Sequence, residues 1–153
     1  MLKIALPNKG ALSKGAMELI KAAGYKLKKA SKELYCTDAI NGIEFYFLRP
    51  TDIATYVDSG VFTFGITGRD IIANSGMDLQ ETLPLNFGKA RMHYIVPGDY
   101  EFTSVQQFQG KRIACSYPTL LQTHLDAAGV EAKIIQLAGA VEISIHLGIA
   151  DLV

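Results

Sequence analysis

Short apolar runs alternate with helix-like segments along nearly the whole chain, and this alternation limits the possible folds more than any other feature. Apolar runs that end at a breaker predict buried strands, and the amphipathic segments between them predict helices. Predicted strands cover residues 2–7, 43–48, 61–66, 91–97, 111–115 and 132–137, and residues 149–153 indicate the start of another. Predicted helices cover residues 14–23 with Ser13 as the cap, 50–60, 104–109, 118–128 and 140–147, and one after residues 67–70 that carries Ile71 and Ile72. This order predicts an α/β protein with largely parallel sheets.

The chain changes character near its middle. Residues 83–88 (Leu-Pro-Leu-Asn-Phe-Gly) are rich in breakers, and a fresh series of strands and helices follows them. A length of 153 residues suits one domain or two small lobes, and 49% hydrophobic residues can supply a sizeable core. We therefore expect two α/β lobes, residues 1–88 and 89–153, with a boundary near residues 86–90.

Charge and hydropathy narrow the classes of function. Fifteen basic and fifteen acidic residues cancel, so no overall field favours nucleic acid or an anionic membrane. No apolar run reaches 18 residues and no signal segment is visible, which predicts a cytoplasmic protein. Cys36 and Cys115 lack C-x-x-C spacing, so we expect neither a disulfide nor a metal site. Residues 1–33 predict a solvated helix face, or alternatively local attraction of a polyphosphate, because they hold eight lysines: Lys3, Lys9, Lys14, Lys21, Lys26, Lys28, Lys29 and Lys32.

Polar residues stand at the carboxyl ends of the predicted strands. In open α/β sheets ligands bind outside those ends, and each end here leads into a helix whose first amide groups attract anions. The segments are Asn8-Lys9-Gly10, Arg49, and residues 65–70, 115–118 and 138–142. Each alone has an ordinary explanation as a turn, an exposed charge, an ion pair or a favourable charge at a helix start. Together they predict a cleft for a polyphosphate or a carboxylate.

No single catalytic motif is present. Walker A, G-x-G-x-x-G and G-x-S-x-G patterns are absent, and we expect packing or surface roles for His93, His124 and His146. A set of stretches in one order is more informative: residues 4–10 (IALPNKG), 47–53 (FLRPTDI), 65–70 (GITGRD), 110–114 (GKRIA), 116–118 (SYP), 139–143 (GAVEI) and 147–151 (LGIAD). Together they resemble the ATP phosphoribosyltransferase family, over essentially the whole chain.

The resemblance implies a fold and an activity. The fold would be that of a type II periplasmic binding protein, two α/β lobes with mixed, mainly parallel sheets around a cleft. The activity would be transfer of the phosphoribosyl group of phosphoribosyl pyrophosphate to N1 of ATP, with Mg²⁺ and release of pyrophosphate, as the first step of histidine biosynthesis. Lys9 and Arg49 would then be catalytic, because they would meet the charge of the departing pyrophosphate. The residues expected to bind substrate are Asn8, Gly10, Gly68, Arg69, Asp70, Arg91, Ser116, Tyr117, Gly139, Ala140, Val141 and Glu142. Among them, Asp70, Ser116, Tyr117 and Glu142 would position ribose, base or magnesium.

Two departures from the family pattern affect these expectations. Ala11 stands where family members commonly carry arginine, which removes one cation from the first loop. The family's Asp-Leu-Val-x-x-Gly-x-Thr-Leu segment cradles the 5-phosphate, and its Gly/Thr-rich loop would lie just beyond Val153. The extended amino terminus of the family's long form is not evident, so we expect the short form, which works with a histidyl-tRNA-synthetase-like regulatory subunit. A homo-oligomer is the other assembly that the resemblance allows.

A binding module without catalysis is the alternative. Solute-binding proteins share the two-lobe pattern, with a stretch similar to residues 110–114 and a Leu-Gly-x-Ala-Asp ending. They carry signal peptides and do not require Asn8-Lys9-Gly10, so the transferase is the interpretation that we favour. A Gly/Thr-rich loop beyond residue 153 would distinguish the two.

The 153-residue chain alone should show no transferase turnover, although weak nucleotide binding is expected. Without a loop for the 5-phosphate the two substrates lose their alignment, an effect that can be worth roughly 7–11 kcal/mol, and each ~1.4 kcal/mol is a factor of ten in rate. A pyrophosphate-release assay should therefore detect activity only in a version extended through such a loop. Equal turnover by the two versions would place the phosphoribosyl site elsewhere.

Overall fold

The computed structural model describes residues 1–27 and 33–153. Three of the amino-terminal lysines, Lys28, Lys29 and Lys32, lie outside the described residues. The chain divides into two compact units, Met1–Ala90 and Arg91–Val153. Each unit contains its own sheet and its own apolar clusters.

The first unit is built on a four-stranded sheet in the order β2-β3-β1-β4. Its strands are β1 (Leu2–Pro7), β2 (Tyr35–Asp38), β3 (Ile43–Leu48) and β4 (Phe64–Gly65). β1 lies parallel to β3 and to β4, whereas β2 runs antiparallel to β3. The predicted strands 2–7 and 43–48 and the mainly parallel pairing are confirmed. β2 is not among the predicted strands, because its four residues (Tyr-Cys-Thr-Asp) contain no apolar run.

Three helices complete this unit, α1 (Ala11–Ala22), α2 (Pro50–Asp58) and α3 (Arg69–Ser75). The expected cap at Ser13 is wrong, because Gly10 stands at the cap position and α1 begins three residues earlier than predicted. Ser13 lies inside the first turn, where its amide donates to the Gly10 carbonyl at 3.2 Å. The predicted second and third helices are confirmed.

Alternate residues of β3 point to opposite faces of the sheet, and each face carries a helix. Phe45 is fully buried in a cluster with Ile20 of α1. Tyr46, the next residue, packs on the other face beside Ile53 of α2. The parallel core strands are therefore covered on both sides, as a mainly parallel sheet requires.

The predicted buried strand 61–66 is much shorter in the structure. Only two residues form β4, and Phe64 is 47% exposed. Phe62 is the buried aromatic of this segment. β4 is an edge strand with a neighbour on one side only, so its side chains do not need to be buried in full. The chain stays aligned with β1 beyond β4, because the Ile66 amide donates to the Ala5 carbonyl at 2.9 Å.

The second unit is built on two parallel strands, β5 (Arg112–Cys115) and β6 (Lys133–Gln136), which confirm the predicted strands to within one residue at each end. Leu152 forms a single parallel bridge with Ile113, so the strand expected over residues 149–153 is reduced to one residue pair.

The predicted strand 91–97 is wrong as a regular element. Within the described residues its only paired position is Ile95, which exchanges two backbone hydrogen bonds with Val153, at 2.7 and 3.0 Å. Met92, His93 and Ile95 are exposed, so the apolar pattern here does not mark a buried strand. Pro97 lacks an amide donor and would interrupt a ladder in any case.

The helices of the second unit are shorter than predicted. α4 (Pro118–Ala127) matches its predicted range within one residue, but α5 (Ile143–His146) covers only half of residues 140–147. Ala140 has a φ of +49°, which no right-handed helix can contain. The helix expected over residues 104–109 is a 3₁₀ turn, Val105–Phe108. In the part of the chain that is described, no helix has the length and hydropathy needed to span a membrane.

One apolar cluster lies on each face of β5. Ile113 is buried with Leu125 of α4 and with Leu152. Ala114, the next residue, is buried with Val153 in a separate cluster to which α5 contributes. α4 and α5 therefore cover opposite faces of β5.

An ion pair holds residues 148–151 against the start of β5. The Arg112 guanidinium donates to both carboxylate oxygens of Asp151, at 2.8 and 3.3 Å, and to the Gly148 carbonyl at 2.8 Å. The Arg112 amide donates to the same carboxylate at 2.7 Å. These hydrogen bonds, the side-chain ones first, lower the pKa of Asp151 from 3.8 to about 2.

Replacing Asp151 with asparagine should destabilise the fold by about 1 kcal/mol at neutral pH, a value reduced for the pair's partial exposure to solvent. Because folding lowers the pKa of Asp151 to about 2, the wild type has this advantage above about pH 4 and loses it as the pH falls towards 2. Urea unfolding of both chains across this range measures the difference. A gap between the two chains that does not shrink in acid would contradict this origin.

Candidate active site

Three loops leave the sheet of the first unit at one edge. β1 lies between β3 and β4 and runs parallel to both, so the carboxyl ends of the three strands are neighbours. Asn8 continues the pairing, because its amide donates to the Leu48 carbonyl at 2.8 Å. Lys9, Arg49 and the loop of residues 66–70 follow these strand ends and share the edge, as the sequence predicts. That the tips of Lys9 and Arg49 converge on one anion stays a prediction.

Lys9 and Arg49 stand at the starts of two helices. Gly10 precedes α1 with a φ of +77°, a conformation that glycine adopts at far lower cost than other residues. Arg49 occupies the cap position of α2, and Pro50 is the first residue of that helix. No described side chain caps either helix, which leaves amide groups at both starts for an anion. Both cations are exposed.

The loop after β4 is held in place by its own residues and by α2. Thr67 Oγ1 donates to the Pro50 carbonyl at 2.8 Å, which ties the loop to the start of the neighbouring helix. A carboxylate oxygen of Asp70 lies where a Cβ on Gly68 would stand. Any larger residue at position 68 would therefore displace the Asp70 carboxylate, and Gly68 contributes to the site by leaving that space.

Arg69 forms a two-pronged ion pair within the first unit. Its Nε and Nη2 donate to the two carboxylate oxygens of Glu81, at 2.7 and 2.6 Å. These hydrogen bonds raise the pKa of Arg69 and lower that of Glu81. The pair joins the loop to the segment that follows α3, so Arg69 has a structural contact where the sequence predicts a substrate contact. A substrate role for Arg69 stays a prediction.

Two loops of the second unit also leave their sheet at one edge. β5 and β6 are parallel, with Cys115 opposite Gln136, so both strands end on the same side. Ser116 and Tyr117 follow β5 and are half-buried. Residues 138–142 follow β6, and within them Gly139, Ala140 and Glu142 are exposed while Val141 is half-buried. This edge carries six of the predicted binding residues: Ser116, Tyr117, Gly139, Ala140, Val141 and Glu142.

Cys115 anchors the first of these loops. Its Sγ accepts a hydrogen bond from the Tyr117 amide at 3.1 Å, which folds residues 115–117 into a tight turn. Within the described part of the chain neither Cys115 nor Cys36 forms a disulfide, as expected. No group of three or more histidine, cysteine, aspartate or glutamate side chains gathers among residues 1–27 and 33–153 in a way that could hold a metal ion.

A pocket of about 260 Å³ opens beside β5 and α4 and was not predicted from the sequence. The Tyr94 hydroxyl is buried here and has no hydrogen-bond partner among the described residues. Burial, and secondly the neighbouring Cys115, raise the pKa of Tyr94. The sequence gives no sign of this pocket, because its lining comes from four separate segments: Tyr94, Ile113, Cys115, Leu121, His124 and Val153.

Two further predictions concern Arg91 and the histidines. Arg91 is exposed, and no contact found in the described residues joins it to another predicted site residue, so its binding role stays a prediction. His93, His124 and His146 are all exposed, and their expected packing or surface roles stay a prediction. The His124 ring lies 5.8 Å from that of Tyr94, between ring centroids.

Comparison with known families identifies the chain. The family model described as HisG, ATP phosphoribosyltransferase, matches residues 49–153, which include Arg49 and both loops of the second unit. The chain belongs to this family.

Individual ATP phosphoribosyltransferases match the whole chain. The enzyme of Corynebacterium aurimucosum is 52% identical over 153 residues, which are 100% of this chain and 54% of that protein. The enzyme of Mycobacterium tuberculosis is 48% identical over 151 residues, which are 99% of this chain and 53% of that protein. The chain therefore spans about half the length of the curated relatives that it matches.

A solved structure of the family matches the fold. The structure of the ATP phosphoribosyl transferase (HisG:HisZ) complex from Thermotoga maritima superposes with a TM-score of 0.77 at 28% identity. The match covers 99% of this chain and 71% of that one. The α/β fold with mixed, mostly parallel sheets is therefore that of an ATP phosphoribosyltransferase.

Replacing Cys115 with serine should leave most of the activity of an ATP phosphoribosyltransferase that contains this chain. A serine Oγ can accept the Tyr117 amide as Sγ does, and no base lies next to the cysteine in sequence to activate it. Steady-state pyrophosphate release measures the effect. Cys36→Ser is the matched control, because Cys36 is buried in the first unit's core and its replacement should lower stability instead. Activity that falls to background in a folded Cys115→Ser protein would indicate a nucleophile.

Proposed function

We propose that the protein containing this chain transfers the phosphoribosyl group of phosphoribosyl pyrophosphate to N1 of ATP and releases pyrophosphate, as the first step of histidine biosynthesis. The observation that carries the proposal is the family match over residues 49–153. The arrangement of cations and helix starts at neighbouring strand ends supports it, because both substrates carry polyphosphates.

The reaction places simple demands on the protein. A bond forms between N1 of adenine and C1 of the ribose, while the bond from C1 to the pyrophosphate oxygen breaks. The lone pair of N1 is available without deprotonation, so no general base is needed for attack. Negative charge develops on the departing pyrophosphate, and cations aimed at it stabilise the transition state more than the ground state.

Lys9 and Arg49 are the residues that we assign to the departing pyrophosphate. They follow β1 and β3, which are adjacent and parallel, so their main chains leave the sheet side by side. Arg49 can bind two phosphate oxygens through its planar guanidinium, whereas Lys9 supplies a compact charge. Asn8 and Gly10 place further polar and amide groups in the same loop. Ala11 offers no cation here, so Lys9 and Arg49 supply the positive charge at this end of β1 and β3.

Magnesium would meet oxygen ligands at this site. Mg²⁺ usually binds one or two protein carboxylates together with substrate phosphates, rather than a complete set of protein ligands. The carboxylates that follow strand ends are Asp70 in the first unit and Glu142 in the second. When bound with its phosphates, the ion would neutralise charge on the leaving group.

The remaining predicted residues would position ribose, base or phosphate. Gly68 keeps the Asp70 carboxylate in place, and Ser116 and Tyr117 supply hydroxyl groups at the edge of the second sheet. Residues 139–142, with Arg69 and Arg91, complete the proposed set. We further propose that the two units are the lobes of a type II periplasmic-binding-protein fold, with residues 1–88 and 89–153 as its domains, and that the substrates bind in the cleft of that fold.

Assembly and location are also proposals. The Thermotoga maritima structure is a complex of HisG with HisZ, which supports assembly with a histidyl-tRNA-synthetase-like regulatory subunit, and a homo-oligomer is the other arrangement that we consider. The relatives of Corynebacterium aurimucosum and Mycobacterium tuberculosis are nearly twice as long as this chain, which favours a further domain in those two proteins. Cysteines without a disulfide suit a reducing, cytoplasmic location. No observation favours the solute-binding alternative.

The proposal is tested with the chain joined to the segments of the Corynebacterium aurimucosum enzyme that lie outside their match. Pyrophosphate release should require both ATP and phosphoribosyl pyrophosphate. Arg49→Ala should lower kcat by about a hundredfold, the scale of losing one charge-stabilising donor, and change ATP affinity by less than about threefold.

Lys21→Ala is the matched control, because Lys21 is exposed in the last turn of α1, at the end far from Gly10. It should behave as the unsubstituted protein. An effect of Arg49→Ala confined to the Michaelis constants would remove Arg49 from the leaving-group role, and release that needs only one substrate would contradict the proposed reaction.

A further inference from the structure

The turn between β6 and α5 contains a residue in an unfavourable backbone conformation. Ala140 has a φ of +49°, in the left-handed region where a Cβ clashes with the backbone and where glycine or asparagine is usual. Ala140 is exposed, so no packing of its own methyl group explains the conformation. Such residues persist only where their surroundings hold them, and they cluster at binding sites.

Ser144 makes the contacts that hold the residue next to Ala140. Among the described residues, Ser144 is the polar residue that is buried, with 1% of its surface exposed. Its Oγ donates to the Val141 carbonyl at 2.5 Å, and its amide donates to the same carbonyl at 3.1 Å. The residue directly after Ala140 is therefore held by two hydrogen bonds from one serine.

Ser144 is itself fixed to the core of the second unit. Its carbonyl accepts the amides of Ile149 and Ala150, at 2.9 and 3.2 Å. Ala150 is buried in the cluster that includes Ala114 of β5. A continuous path of hydrogen bonds and packing thus runs from β5 through Ser144 to the turn of residues 139–142.

We propose that Ser144 is a positioning residue whose buried hydroxyl holds the turn of residues 139–142 in the geometry that binds substrate. This inference rests on the proposed function, in which that turn contacts one of the two phosphorylated substrates. Ser144 touches no substrate. It acts by keeping Ala140 left-handed, so that the turn need not be ordered when the substrate binds.

The serine can be tested without unfolding the chain. In Ser144→Ala the Val141 carbonyl keeps the amide bond, so no buried carbonyl is left without a partner. Alanine is also smaller than serine and fits the same space. The loss should therefore appear in the turn rather than in the whole fold.

A double-mutant cycle measures the coupling between Ser144 and Ala140. It uses the chain joined to the remaining segments of the Corynebacterium aurimucosum enzyme. Ser144→Ala should raise the Michaelis constant of one substrate about fivefold, the scale of one hydrogen bond, with kcat changed by less than about twofold. Ala140→Gly alone gives the reference values for glycine at this binding position, so that the effect of Ser144→Ala is compared with alanine and with glycine at residue 140. In the double variant glycine makes the left-handed conformation easy, so most of the loss should be restored.

Two controls separate positioning from general stability. Ser59→Ala removes an exposed serine that makes the same contact with a carbonyl three residues earlier, at 2.9 Å, and should leave both Michaelis constants unchanged. Ala128→Gly introduces glycine at a residue with a φ of −89° and should not rescue Ser144→Ala. The proposal would be overturned if Ala140→Gly changed the Michaelis constants equally with serine and with alanine at position 144. A fall in kcat with unchanged Michaelis constants would also overturn it.

Hydrogen exchange distinguishes failure of this inference from failure of the proposed function. In the 153-residue chain Ser144→Ala should speed exchange of the Ile143 amide, which donates to the Ala140 carbonyl at 3.2 Å, and adding Ala140→Gly should slow it again. Unchanged exchange would show that the hydroxyl does not hold the turn. If exchange behaves as expected while the joined protein releases no pyrophosphate, the proposed function fails and the substrate role of the turn fails with it.

Discussion

The main-chain hydrogen bonds that align β1 between β3 and β4 decide where every polar loop of the first unit lies. Leu6 faces Phe47 across one side of β1, and Ala5 faces Gly65 across the other. A shift of one residue in either pairing would exchange buried for exposed side chains, which the two apolar clusters on opposite faces of the sheet prevent. Hydrophobic packing thereby fixes the register, and the register places the starts of α1, α2 and α3 next to one another.

The loops of the second unit are also held in place, although its sheet is smaller. Its two four-residue strands and the single Leu152 bridge provide few ladder hydrogen bonds. Hydrogen bonds of side chains add to the few main-chain hydrogen bonds of this sheet. The Arg112–Asp151 pair fixes the amino-terminal end of β5, Cys115 shapes the turn at its carboxyl end, and Ser144 connects the next turn to the core. The Cys115 and Ser144 bonds join residues two and three positions apart, whereas the Arg112–Asp151 pair joins residues 39 positions apart and so ties the end of the described chain to β5.

The sequence predicts the parts of the fold that depend on apolar periodicity. The strands 2–7 and 43–48 and the helix from Pro118 are correct because each buries a continuous or alternating apolar pattern. Errors occur where another effect dominates: Gly10 takes the cap position expected for Ser13, and the left-handed Ala140 makes α5 begin later than predicted. The strand ends that form the candidate site were predictable, since loops after parallel strands share an edge. The Arg69–Glu81 pair was not, because Glu81 lies 12 residues beyond Arg69, in the irregular segment after α3, and no local pattern links the two.

The chemistry at these edges agrees with a reaction that needs alignment more than proton transfer. The loops at the strand ends carry cations, helix amides, hydroxyl groups and two carboxylates, whereas the three histidines lie outside these loops. A glycosyl transfer to the lone pair of adenine N1 gains little from a base, but it gains a large factor when the two substrates and the leaving group are held in line. A rigid frame is what such alignment demands. Within each unit the buried core strands are rigid, and the bonds from Thr67, Cys115 and Ser144 extend that rigidity into the loops that we propose to contact the substrates.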